Sequence, residues 1–69
     1  MDRILIYQND SIPARLFIVI SNGKLKRSWM KKNGKIIAKN HLVKIPTEIN
    51  LYHDGWKKIE DTSYNENYS

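Results

Sequence analysis

Residues 24 to 44 read KLKRSWMKKNGKIIAKNHLVK, with eight lysines and arginines and no acidic side chain. Cations at this density are what a phosphate backbone requires, since each neutralised phosphate releases condensed counterions. Single-stranded nucleic acid also needs flat side chains on which unpaired bases can stack. The same run would serve equally as a solvated face, or as lysines that keep exposed strand edges from pairing. Which of these holds depends on the elements that carry the charges.

Other chemistry is thinly represented. The chain has two histidines, three glycines and no cysteine, so thiolate chemistry and disulfides are excluded. His53 and Asp54 could form an oriented base, but adjacent residues of this kind more often serve a turn. A metal site from His41, His53 and Asp54 would need three ligands brought together by the fold. Glu60 and Asp61 adjoin in a polar segment, and no glycine-rich phosphate loop occurs. The expectation is a protein that is not an enzyme and uses no metal and no cofactor.

At 69 residues with a net charge of +5, the chain has room for one small domain that buries about 60% of its unfolded surface. Residues 1 to 59 hold all twelve basic side chains and four acidic ones, a balance of +8; the last ten hold three acids and no base. This asymmetry suggests a polyanion-binding body of residues 1–61 with a flexible acidic tail over 62–69. No apolar run approaches a membrane span or a signal-peptide core, and the expected location is the cytoplasm.

Two asparagine-glycine pairs, Asn22-Gly23 and Asn33-Gly34, organise the middle. Both central residues of a type I′ turn need positive φ, which Asn and Gly adopt most readily, so each pair predicts a tight hairpin. Strands are expected near 14 to 21, 24 to 32 and 35 to 43, preceded by RILIYQ. Beyond Pro46, TEINLYHDGWKKIED reads as a hairpin about Asp54-Gly55, with a short helix begun at Thr47 as the alternative. Gly55 weighs against a helix that runs through it. The fold class is all-β. A small antiparallel meander should close into an SH3-like or OB-like barrel of five or six strands, with room for one short C-terminal helix.

Uninterrupted two-residue turns would set the faces. Leu16 then opposes Trp29, and Trp29 opposes Ala38. Leu16, Ile18, Ile20, Leu25, Trp29, Ile36, Ala38 and Leu42 form the core face, interrupted by Arg27, Lys31 and Asn40. The other face carries Arg15, Phe17, Val19, Lys24, Lys26, Ser28, Met30, Lys35, Ile37, Lys39, His41 and Val43.

From this arrangement the residues expected to contact RNA or single-stranded DNA are Arg15, Phe17, Lys24, Lys26, Arg27, Lys39, His41 and Trp56. Lysines would position phosphates, Phe17 and Trp56 would stack on bases, and Arg15 and Arg27 would make bidentate contacts. The rival expectation is a small protein-binding regulator or inhibitor, of the kind mobile elements encode. It would use Phe17, Val19, Met30, Ile37 and Val43 against a host protein or a second copy in a homo-oligomer.

Overall fold

The computed structural model describes residues 2–65. Five strands and one helix follow in the order β1 (Asp2–Asn9), β2 (Ala14–Ser21), β3 (Lys24–Lys32), β4 (Lys35–Lys39), α1 (Glu48–His53) and β5 (Trp56–Tyr64). The strands form one antiparallel sheet in the order β4-β3-β2-β1-β5. The expected all-β meander is present, but the barrel is not closed: β4 and β5 remain separate edges.

Both Asn-Gly pairs turn as their chemistry requires. Asn22 and Gly23 have φ of 53° and 77°, and Asn33 and Gly34 have 53° and 79°. Immediately beyond each turn, however, the ladder slips. Ile20 pairs with Leu25, but Val19 pairs with Arg27, leaving Lys26 as an extra residue. Lys31 pairs with Ile36, but Met30 pairs with Ala38, leaving Ile37 extra. These are β-bulges, and each moves every later residue to the opposite face.

The slip corrects the expected faces. In the unbulged register Arg27 and Lys31 would have lain on the core face, where a cation loses its hydration. The bulge exchanges Arg27, Trp29 and Lys31 for Ser28 and Met30 on that side. Ser28 is accordingly buried at 2% exposure, and Met30 packs against the core. Trp29 opposes Phe17 and Lys39, not Leu16 and Ala38, and is only half-buried. Ile36, expected in the core, is exposed.

The core consists of Leu5, Tyr7, Leu16, Ile18 and Leu51, with Ile20, Leu25, Met30, Leu42 and Trp56 packed around it. Burying each large aliphatic side chain contributes about 1.5–3 kcal/mol. Helix α1 covers this side through Leu51. It begins where the alternative reading placed it: Thr47 Oγ1 accepts from the Asn50 N–H at 3.3 Å. It stops before Gly55, whose φ of 91° is left-handed. The segment from Trp56 onward is therefore a strand, and residues 62–64, expected in the tail, extend it to pair with β1. Residues 66–69 of the expected tail, Glu66 among them, lie outside the described residues.

Side chains tie the helix and its flanks to the sheet. Tyr7 donates to Glu48 Oε1 at 3.0 Å, and Lys58 Nζ lies 2.9 Å from the same oxygen. Asn9 accepts from the Ser11 N–H at 2.7 Å and donates to the Asp54 carbonyl at 3.1 Å, joining the β1–β2 loop to the α1–β5 turn. Arg3 on β1 pairs with Asp61 on β5. No helix among the described residues is long and apolar enough to cross a membrane.

Candidate nucleic-acid interface

The side of the sheet away from α1 is built from cross-strand rows. Ile6, Phe17, Trp29 and Lys39 are successive partners across β1 to β4. On one side of this row lie Gln8, Arg15, Lys31 and Ile36; on the other lie Ile4, Val19 and Arg27. Phe17 and Trp29 stack with ring centroids 5.0 Å apart and planes 4° from parallel. Lys31 Nζ lies 5.7 Å from the Phe17 ring centroid, within cation–π range.

Two grooves flank the stacked pair. The larger, of about 510 Å³, is lined by Arg27, Ser28, Trp29, Lys31, Ile36, Lys39, Asn40 and Tyr64. The smaller, of about 340 Å³, is lined by Pro13, Arg15, Phe17, Lys31, Asn33 and Gly34. Lys31 borders both, and no acidic residue lines either one among the described residues. The larger groove brings together β4 and β5, the two edges of the sheet, so the sheet curls toward this side. That curl accounts for the burial of Ile4 and Val19, which lie on the same side at 7% and 0% exposure.

Of the eight expected contact residues, Arg15, Phe17, Arg27 and Lys39 are assembled here. Lys24 lies at the β2–β3 turn and is exposed, while Lys26 is 3.1 Å from Asp2 Oδ2 at the same end of the sheet. Hydrogen bonds from the neutral Ser21 hydroxyl and from the Lys26 ammonium hold the Asp2 carboxyl below its ordinary range. His41 is exposed in the segment after β4 and lines neither groove. Trp56 pairs with Asn9 and packs on the core cluster, on the opposite side of the sheet from Phe17.

Other residues of this surface lie outside the expected contact set: the unbulged register sets Trp29, Lys31, Ile36 and Asn40 on the core face, and Tyr64 falls in the expected tail. Arg27, Trp29 and Lys31 alternate as cation, aromatic, cation, a pattern that suits one solvent-facing row. That alternation was the available signal for the bulge. Tyr64 had none, since its position depends on β5 reaching back to pair with Asp2.

The apolar set expected for a protein partner is dispersed. Val19 is buried, Met30 packs against the core and Phe17 is engaged with Trp29. Ile37 and Val43 remain exposed, at 54% and 95%. No group of three His, Cys, Asp or Glu side chains that could hold a metal ion occurs among the described residues. Comparison with known proteins finds no matching family model, no matching curated protein and no matching solved structure.

Proposed function

We propose that this chain is a small non-enzymatic module that binds nucleic acid, RNA or single-stranded DNA, on the curled side of its sheet, with the cytoplasm as its expected compartment. The observation that supports this reading is the Phe17–Trp29 stack set among Arg15, Arg27, Lys31 and Lys39. Cations spaced around half-buried aromatic rings supply both parts of single-strand recognition: neutralised phosphates and a stacking platform. Arg15 and Arg27 suit phosphate oxygens through their planar fork, and Lys31 and Lys39 act as point charges.

The test is oligonucleotide affinity as a function of salt. Four phosphate contacts to a single strand give a log–log slope of about −3. Lys31→Gln and Lys39→Gln together should make it shallower by about 1.4. No binding at low salt, or an affinity indifferent to salt, would contradict the reading.

A further inference from the structure

The larger groove has a composition that goes beyond phosphate binding. Phe17 covers one face of the Trp29 indole, stacked at 5.0 Å. The groove of about 510 Å³ is bordered by Trp29 and not by Phe17, which occupies the stacked face. Tyr64, arriving from the far edge of the sheet, borders the same space. A volume of this size falls within the range of small-molecule sites.

Asn40 adds a directional group. Its Oδ1 accepts from the Ser28 N–H at 3.1 Å, while its own N–H donates to the Ser28 carbonyl at 2.6 Å. An amide oxygen committed to a donor settles which end of the side chain is which. The amide nitrogen, a donor only, is what Asn40 can offer to an occupant of the groove. Its backbone φ of 49° is left-handed, a conformation asparagine tolerates better than most residues.

We infer that the larger groove holds one unpaired nucleotide base, stacked on the outer face of Trp29 beside Tyr64, with the Asn40 amide nitrogen donating to an acceptor on the base edge. Lys31 and Lys39, on the groove wall, hold the flanking phosphates. The inference rests on the nucleic-acid reading and adds that the base itself, and not only the backbone, is bound. A base still paired and stacked in a duplex cannot enter without being extruded.

The experiment compares an eight-nucleotide oligothymidylate with an abasic deoxyribose-phosphate oligomer of equal length, at one low salt concentration. The parent should bind the base-bearing strand about five- to hundredfold more tightly, the range that base–aromatic stacking gives. Trp29→Leu and Tyr64→Leu should each narrow that ratio by weakening thymidylate binding more than abasic binding. Asn40→Asp keeps the acceptor for Ser28 and removes the donor, so it should weaken thymidylate binding more than abasic binding. Equal affinity of the parent for the two oligomers overturns the inference and leaves phosphate binding standing. Failure of both oligomers to bind overturns the nucleic-acid reading, and this inference with it. A ratio unchanged in both Trp29→Leu and Tyr64→Leu, each folded by circular dichroism, places the base elsewhere and also overturns it.

Discussion

Phe17 on β2 and Trp29 on β3 are direct cross-strand partners whose rings stack 5.0 Å apart. They meet because one extra residue, Lys26, lies between the Asn22-Gly23 turn and the rest of the β3 ladder. Without that slip the indole would point into the core and Phe17 would stand alone among lysines. The stack is thus a consequence of register, and register can be tested.

Deleting Lys26 should remove the bulge while keeping every other β2–β3 pairing, including Phe17 opposite Trp29. The shortened chain should fold, and nuclear Overhauser contacts between the two rings should persist. Its cost should be small, about 0–1 kcal/mol, since Lys26 is exposed and its ion pair with Asp2 lies at the surface. If the chain instead paired without a bulge, the same deletion would drive Trp29 out of the core and unfold the domain.

Trp29→Ala and Ile18→Ala should separate surface from core. Ile18 is fully buried, and its truncation should cost about 2–5 kcal/mol. Trp29 is half-buried and owes its order to the stack, an interaction of about 0.5–1.5 kcal/mol beyond area burial. Urea denaturation should therefore find the tryptophan variant the more stable of the two. The opposite ranking would return Trp29 to the core.

Gly55→Ala tests the junction of α1 and β5. Gly55 has φ of 91°, and a Cβ there would lie 3.3 Å from Asn9 Oδ1. Asn9 is buried and engaged on both sides, so it has little room to give. A loss of about 1–2 kcal/mol is expected from backbone strain and crowding, read as a lowered urea midpoint with an unchanged slope.

Acid should weaken the fold through a small set of carboxylates. Glu48 is held below its ordinary range chiefly by the hydrogen bond from Lys58, and Asp61 by that from Arg3. A carboxyl whose folded pKa is depressed binds fewer protons in the native state than in the unfolded one. Its contribution is present above the ordinary value of about 4 and fades as pH falls through the lower folded value. Tyr7 is raised by burial and by its bond to Glu48, so its contribution is full below about pH 10 and is lost as pH rises beyond it. Glu48→Gln should flatten the acid limb of a stability–pH curve, and Tyr7→Phe the alkaline limb. Limbs of unchanged steepness in both variants would contradict this assignment.

The turns were legible in the amino-acid sequence because few residues accept positive φ, and Asn22-Gly23 and Asn33-Gly34 each supply two that do. The strands flanking them followed from Phe17, Ile18, Val19 and Ile20. The faces did not follow, because a bulge is decided by tertiary burial: keeping Arg27 and Lys31 in water outweighs an unbroken ladder. Helix α1 has six residues, too few for a periodic signal, and depends on the Thr47 cap and on Leu51 reaching the core. At the site, Arg15, Phe17, Arg27 and Lys39 were legible as a basic and aromatic set. Trp29 was hidden by the register, and Tyr64 by a strand end whose pairing with Asp2 spans nearly the whole chain.

The two tryptophans lie on opposite sides of one sheet, Trp29 beside Phe17 and Trp56 against the core, and this makes a single titration decisive. A single-stranded oligonucleotide is added at low salt while the two indole N–H resonances are followed by NMR. The Trp29 indole should shift progressively, together with the backbone amides of Arg27, Lys31 and Lys39, while the Trp56 indole stays in place. Shifts confined to Trp56 and α1, or no shift at either indole up to saturating oligonucleotide, would contradict a nucleic-acid interface on the Phe17–Trp29 side.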